Sequence, residues 1–286
     1  MSDTPVRKRK RRRRKQQPWV ALAAGLGLVA VLVLAIVTLE AALAPEETEP
    51  TEPTALSTVQ TLPTNPYSPG DFTYDENGFL TCTAADTRLG IDVSDHQREI
   101  DWQQVAQAGI EFAFVRIGYR GYSEGGIYAD EYAPRNIENA QANGLDVGVY
   151  FYSQALTPGE AVEEAEFCLE FLESYDIQLP VVFDWEYVST EARTGMMDMQ
   201  TLTACAIAFC ETVRTAGYEA MLYANPDIAR NFLDLRQLQD YPFWLALYSD
   251  TMDYPHRMDY WQYTAGGTVP GITGNVDINL QFMPGS

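Results

Sequence analysis

Two acidic residues, Asp184 and Glu186, lie at the end of an apolar segment, residues 179–186, with the sequence LPVVFDWE. Side chains alternate along a β-strand, so both carboxyl groups point to the same side of the chain. Two carboxyl groups in one partly buried site titrate differently, and one can hold its proton near neutral pH while the other is ionised. Glycosidic bond cleavage requires this arrangement. Helix capping or binding of a structural cation is the alternative, because the D-x-E pattern alone is a weak signal.

The pattern of apolar segments predicts the elements that hold these acids. Five segments rich in Val, Ile, Phe and Tyr alternate with helical patterns, which is typical of a parallel sheet covered on both faces. Three more segments follow residue 225 with gaps too short for full crossover helices. The predicted strands are residues 89–93, 112–117, 147–152, 180–185, 220–223, 243–248, 260–264 and 276–282, and the predicted helices lie near 101–108, 129–143, 158–175, 198–216 and 226–234. We therefore predict an α/β fold, an irregular TIM-like (β/α) barrel of eight strands and five helices with the last three strands joined mainly by loops. An open doubly wound sheet would also need a glycine-rich phosphate loop, which the sequence lacks.

In such a barrel, catalytic groups belong at the carboxyl ends of the strands. Those ends carry acids and aromatic residues, which together suit a sugar: aromatic faces stack on pyranose rings, and acids bond hydroxyl groups and transfer protons. The predicted catalytic residues are Glu186, Asp184, Asp92 and Asp277, and the predicted substrate-binding residues are Tyr150, Tyr152, Tyr223, Trp244, Tyr248, Trp261, Tyr263, Asn225 and Arg116. Core packing is the alternative role of Trp244 and Trp261. Arg116 is more suited to pair with one of these acids than to catalyse, because arginine does not release its proton.

The composition excludes several other functions. The chain beyond residue 17 carries ten Arg, no Lys and 39 acidic residues, so it will not hold nucleic acid through phosphate contacts. The two histidines, His96 and His256, lie in no motif with the spacing of metal ligands, and the sequence has no C-x-x-C. We therefore expect no metal site and no cofactor. This expectation argues against a metal-dependent amidase or deacetylase. The cysteines are Cys82, Cys168, Cys205 and Cys210. Outside the cell they could form disulfides, but Cys205 and Cys210 should not pair, since they point about 140° apart around a predicted helix.

The amino-terminal region differs from the rest of the chain. Nine of the 19 basic residues lie in residues 1–17, the predicted cytoplasmic tail. Residues 18–39 are predicted to be a transmembrane signal-anchor, because the apolar run 19–37 can cross a hydrocarbon core of about 30 Å and the basic charges keep the amino terminus in the cytoplasm. The catalytic domain is then extracellular at the cell membrane. Secretion after cleavage near Ala44 is the alternative, which the length of the run and the following Pro45 disfavour. Residues 45–79, rich in Pro, Thr and Glu, predict an extended stalk, and residues 80–286 the catalytic barrel.

An ordered series of motifs resembles the family 25 glycoside hydrolases, the N-acetylmuramidase lysozymes. The motifs are Gly90-Ile91-Asp92-Val93-Ser94 leading to Ile100-Asp101-Trp102, Phe114-x-Arg116-x-Gly118, Asp130 with Asn136, Gly148-x-Tyr150, Asp184-x-Glu186, Trp261-Gln262-Tyr263 and Val276-Asp277-x-Asn279. The resemblance covers residues 89–282 and implies the same irregular barrel. It also implies hydrolysis of the β-1,4 bond between N-acetylmuramic acid and N-acetylglucosamine in peptidoglycan, whose glycan strands are the expected partner of a monomeric enzyme.

The resemblance further implies that Glu186 is the proton donor and that Asp92, Asp184 and Asp277 line the site around it. In several retaining families that act on 2-acetamido sugars, the substrate's acetamido oxygen is the nucleophile and an Asp two residues from the acid holds the amide. We expect this role for Asp184, with direct attack by a carboxylate as the alternative. The acidic domain would repel anionic wall polymers, and no wall-binding repeat follows it, so anchor and stalk would supply localisation. An inactive peptidoglycan-binding module at the cell surface is the non-enzymatic alternative, which the presence of all four acids disfavours.

Overall fold

The computed structural model describes residues 61–283. The predicted tail, the predicted anchor and the first part of the predicted stalk, residues 45–60, lie outside this range. No helix within the described range is long and apolar enough to cross a membrane.

Eight strands close a barrel, which confirms the predicted fold. They are β3 (Thr87–Val93), β4 (Phe112–Arg120), β6 (Asp146–Ser153), β7 (Val181–Trp185), β8 (Ala220–Ala224), β9 (Phe243–Ala246), β10 (Tyr260–Gly267) and β11 (Val276–Phe282). The order around the barrel is β3-β11-β10-β9-β8-β7-β6-β4, and pairing of β3 with β4 closes it. A short strand, β5 (Ile127–Ala129), pairs antiparallel with the end of β4. Each predicted strand therefore has its counterpart in the barrel.

Residues 61–283 contain six α-helices outside the barrel. They are α1 (Trp102–Gln107), α2 (Ala133–Ala142), α3 (Pro158–Leu172), α4 (Met199–Thr215), α5 (Pro226–Asn231) and α6 (Leu235–Leu238). The side chains of Asp101, Thr157 and Asp198 start α1, α3 and α4 by accepting a hydrogen bond from the backbone N–H three residues on. The predicted helix near 226–234 is two helices, because the side chain of Asp234 caps a new one.

Strand β11 runs antiparallel to both of its neighbours, β10 and β3. The connection from β10 to β11 spans residues 268–275, which is too short for the crossover of a dozen or more residues that a parallel strand needs. The sequence pattern predicted a closed barrel of eight strands but not that its last strand is reversed. The reversal brings the start of β11, with Asp277, to the barrel end where the parallel strands finish.

Aromatic rings fill the barrel beneath that end. Phe112, Phe114, Val182, Met221, Trp244 and Tyr260 form a buried cluster inside the barrel. Gly90 and Gly148 leave room for it, because a Cβ atom would lie 2.3 Å from the Phe112 ring at position 90 and 2.4 Å from the Phe114 ring at position 148. A packed floor therefore separates the mouth of the barrel from its other end.

The predicted boundary between stalk and barrel at residue 80 is too late. Within residues 61–79, the Tyr67 ring stacks on Phe282 with centroids 4.6 Å apart, and the Phe72 ring meets Trp261 edge-on at 5.0 Å. Strands β1 (Phe72–Tyr74) and β2 (Leu80–Cys82) form an antiparallel hairpin. Composition alone suggested a stalk, but aromatic residues between the prolines find buried partners on the barrel, which offsets the entropy of ordering this segment.

Candidate active site

A cavity of about 260 Å³ opens at the carboxyl ends of the parallel strands and brings the four predicted acids together. Its lining residues are Asp92, Ser94, His96, Gln97, Arg116, Tyr150, Tyr152, Asp184, Glu186, Tyr223, Trp244, Tyr248, Gln262 and Asp277. A larger cavity, of about 590 Å³ near Tyr254 and Arg230, has Asp234 as its only acid among the described residues. The cavity with four carboxyl groups is therefore the candidate active site.

Asp92 and Asp277 form a carboxyl pair across β3 and β11. They occupy opposing positions of the antiparallel pairing, so their carboxyl groups lie side by side. Asp92 Oδ2 also accepts hydrogen bonds from Gln262 Nε2 at 2.8 Å and Asn279 Nδ2 at 2.9 Å. Burial and the charge of Asp277 raise the pKa of Asp92 well above its ordinary value, and burial raises the pKa of Asp277 to about 6. The pair thus retains a proton in mildly acidic solution.

Asp184 lies at the end of β7, level with Tyr152 on β6 and Tyr223 on β8. Its side chain is buried, and among residues 61–283 no hydrogen-bond partner reaches its Oδ1 atom. Burial, followed by the charges of Glu186 and Asp92, raises the pKa of Asp184 well above its ordinary value. A buried acceptor without a partner is costly, so Oδ1 is suited to receive a donor from a bound molecule.

Glu186 follows β7 at the open side of the cavity. Burial and the charge of Asp92 raise the pKa of its carboxyl group, and the neighbouring Tyr223 hydroxyl, which itself donates to Gln262 Oε1 at 3.0 Å, partly opposes this rise. A carboxyl group with a raised pKa keeps its proton closer to neutral pH and can deliver it to a leaving oxygen. Glu186, which is less buried than Asp92 and Asp184, can thus exchange a proton with a molecule bound in the cavity.

Gln154, which follows β6, forms hydrogen bonds that hold the start of the loop at Glu186. The sequence did not identify this residue. Gln154 is fully buried, and its Nε2 atom donates to the backbone oxygen of Glu186 and to that of Ser153, both at 2.9 Å. Thr194 Oγ1 donates to Gln154 Oε1 at 2.6 Å, and Arg193 donates to the Gln154 backbone oxygen at 2.8 Å. These contacts join the end of β6 to the segment that carries the acid.

The aromatic residues divide into a floor and a rim. Trp244 is buried, stacks on Phe114 with centroids 4.6 Å apart, and donates from Nε1 to Asn279 Oδ1 at 2.8 Å. Tyr248 is 61% exposed, and its hydroxyl donates to Gln262 Oε1 at 3.1 Å. Trp244 therefore supports the site from below, and Tyr248 presents its ring to solvent at the rim.

Arg116 reaches the cavity, but its hydrogen bonds go to two acids outside the predicted set. Its guanidinium donates to Asp95 Oδ1 at 2.7 Å and to Asp130 Oδ2 at 3.0 Å. Its positive charge also lowers the pKa of Asp184, against the larger effect of burial. Arg116 is thus a structural partner of Asp95 and Asp130 rather than of the four acids in the cavity.

Three predicted substrate-binding residues lie elsewhere. Trp261 and Tyr263 point away from the barrel interior; Trp261 Nε1 donates to the Leu247 backbone oxygen at 2.7 Å. Asn225 caps α5, since its side chain accepts from the backbone of Asp227 and Ile228. Alternation along β10 explains the positions of Trp261 and Tyr263, because the residues of this strand that point inward are Tyr260 and Gln262. Gln262, which binds Asp92, was missed, and the same alternation could have identified it.

Within residues 61–283, no group of three or more His, Cys, Asp or Glu side chains is placed to hold a metal ion. All four cysteines are free, and burial raises the pKa of the Cys168, Cys205 and Cys210 thiols. The catalytic cavity itself presents carboxyl and hydroxyl groups, which can exchange protons with a bound molecule.

A barrel whose mouth holds four carboxyl groups, two of them buried and two partly buried, beside aromatic side chains has the architecture and chemistry of a glycoside hydrolase. Comparison with known families agrees: the profile of Glycosyl hydrolases family 25 matches residues 91–272, and the chain belongs to that family. The uncharacterized protein YegX of Escherichia coli O157:H7 is 29% identical over 211 residues, covering 69% of this chain and 70% of YegX. Lysozyme M1 of Streptomyces globisporus is 27% identical over 208 residues, covering 66% of each chain.

The fold is also that of the modular autolysin LytC from Streptococcus pneumoniae, with a TM-score of 0.63 at 23% identity. The likeness covers 78% of this chain and 52% of LytC, so the chain spans about half of the length of that autolysin. At this identity the comparison speaks for the fold alone.

Proposed function

We propose that this enzyme is a lysozyme that hydrolyses the β-1,4 bond between N-acetylmuramic acid and N-acetylglucosamine in peptidoglycan. The observation that carries the proposal is a partly buried Glu186 with a raised pKa beside three further carboxyl groups at the barrel mouth. The relatives named Autolytic lysozyme and Lysozyme M1 support the choice of substrate. Glycan strands are the partner, and the enzyme acts as a monomer.

In the proposed reaction, Glu186 donates its proton to the glycosidic oxygen as the bond to the anomeric carbon breaks. The acetamido oxygen of the sugar that carries this carbon attacks it and forms a cyclic oxazolinium ion, while Asp184 Oδ1 accepts the hydrogen bond of the amide N–H, which keeps its proton. Glu186 then takes a proton from a water molecule that opens the ring, so the product keeps the β configuration. The buried Oδ1 atom without a partner among residues 61–283 supports this role for Asp184.

The activity can be tested by digesting purified peptidoglycan, reducing the fragments and identifying their terminal sugar by mass analysis. We expect reduced N-acetylmuramic acid, and we expect Glu186→Gln to slow release by about 10² to 10⁴ while the protein remains folded, because the proton donor is lost. Glu138→Gln, an exposed change on α2, is the matched control. Reduced N-acetylglucosamine would identify another bond, and binding without any fragments would favour an inactive peptidoglycan-binding module.

The nucleophile can be identified with a fluorinated sugar substrate that slows the second step. Substrate assistance predicts that no sugar becomes covalently attached to the protein. A stable mass increase on a peptide containing Asp184 or Asp92 would show direct attack instead. A product of α configuration would exclude both retaining schemes.

We also propose that residues 18–39 anchor the enzyme in the cell membrane with its barrel outside, for which the uncharged apolar run and the preceding basic tail are the support. The full-length chain should sediment with membranes, and external protease should reach the barrel. Soluble protein that begins at Pro45 would show cleavage after Ala44 and secretion.

A further inference from the structure

The hairpin formed by β1 and β2 lies outside the matched family region, residues 91–272, and packs on the barrel beside the catalytic cavity. At its base Phe72 packs against Trp261, and near its turn Leu80, the pairing partner of Tyr74, is 1% exposed. Its tip faces the loop after β9: the Tyr74 hydroxyl donates to Asp250 Oδ1 at 2.7 Å. An element outside the matched region thus becomes part of the rim of the site.

A second cavity at this rim, distinct from the two described above and of about 370 Å³, lies between the hairpin, the loop after β9 and the end of β10. Tyr248 lines both this cavity and the catalytic one. The hydrogen bond from Tyr248 to Gln262 ties the shared residue to the carboxyl group of Asp92, which Gln262 also binds. The two cavities are therefore neighbours along the rim, on either side of one exposed ring.

The lining of the second cavity suits a neutral sugar. Tyr74 and Tyr248 are 48% and 61% exposed and offer ring faces, while Asn77, Ser249 and Thr268 offer amide and hydroxyl groups. Asp250 is the only charged residue among the described residues that line it. A site with one carboxylate and no basic group disfavours anionic ligands such as carboxylated or phosphorylated wall polymers.

We propose that this cavity, which we call the hairpin subsite, binds a neutral N-acetylglucosamine unit of the glycan strand beyond the pair of sugars that is cleaved. The proposal rests on the proposed function for the identity of the strand, and on the hairpin for the position of the subsite. The hairpin that forms the subsite lies outside the matched family region. A sugar bound in the subsite makes this enzyme favour glycan strands long enough to cross Tyr248 and reach Tyr74.

The test compares kcat/KM on a tetrasaccharide and an octasaccharide of the peptidoglycan glycan, using the full-length protein. The native enzyme should prefer the longer substrate, and Tyr74→Ala should reduce that preference by about threefold to tenfold, as expected for the loss of one aromatic stacking contact. Tyr74→Phe, which keeps the ring and loses only the bond to Asp250, should keep most of the preference. Tyr175→Ala, three residues beyond the end of α3 at the opposite end of the barrel, is the control. Thermal unfolding confirms that each variant is folded.

A binding measurement separates this proposal from the proposed function. Titration of a long N-acetylglucosamine oligomer into Glu186→Gln protein, with and without Tyr74→Ala, reports on the subsite without any cleavage. Weaker binding with Tyr74→Ala supports the subsite even if the native enzyme releases no muramic acid ends. Equal affinity and an unchanged preference for long strands in folded Tyr74→Ala protein would overturn the subsite while leaving the proposed hydrolysis intact.

Discussion

Replacement of Gln154 by leucine tests how the fold holds Glu186, the proposed general acid. The substitution removes the side-chain amide, which donates to the backbone oxygens of Glu186 and Ser153 and accepts from Thr194. Each of these three groups loses a buried partner, at about 1 to 3 kcal/mol per group, and the apolar leucine offsets part of the cost. We expect a loss of about 2 to 5 kcal/mol in the free energy of unfolding.

Activity should fall as well, because the backbone oxygen of Glu186 is no longer held. A displacement of a catalytic group by about 1 Å can reduce the rate about 100-fold, so we expect kcat to fall by about tenfold to 100-fold with KM little changed. Urea unfolding and peptidoglycan hydrolysis measure the two effects, and exposed Gln103→Leu is the control. Thr194→Val should be partly non-additive with Gln154→Leu, since both remove the same bond. Native kcat in a folded Gln154→Leu protein would refute the reasoning.

Further predictions concern the carboxyl groups and the barrel core. Because burial raises the pKa of Asp277 from 3.8 to about 6, the folded protein holds a proton that the unfolded chain releases. The stability that this proton contributes is full below about pH 4 and is lost as the pH rises towards 6. The urea midpoint of the native protein should therefore fall across this range, and that of Asp277→Asn should fall less. Hydrolysis should slow as the pH rises through the raised pKa of Glu186, and initial rates that stay constant into alkaline solution would contradict its role as an acid. Gly148→Ala should destabilise the fold by about 1 to 3 kcal/mol in urea, because its Cβ would lie 2.4 Å from the Phe114 ring, whereas Gly159→Ala, whose nearest atom is 3.7 Å away, should not.

Local sequence determined the strands, the helices and the Asp184 and Glu186 pair. Apolar runs fix where strands lie, and alternation along β7 fixes that both acids face the same side; neither depends on distant contacts. The long spacing between the first five strands required crossover helices, so a parallel α/β sheet followed from chain order. The predicted barrel then selected Asp92 and Asp277, far apart in sequence, as acids at strand ends, and the motif resemblance includes both.

Only the tertiary structure decided which distant groups meet. The reversal of β11 sets Asp277 opposite Asp92, and the inward register of β10 selects Gln262 rather than Trp261. Arg116 pairs with Asp95 and Asp130 because those acids come within its reach when the barrel closes. The hairpin likewise packs on the barrel although its composition resembles a stalk. Such pairings depend on barrel closure and strand register, which join residues far apart in the chain, whereas periodicity describes only neighbours along it.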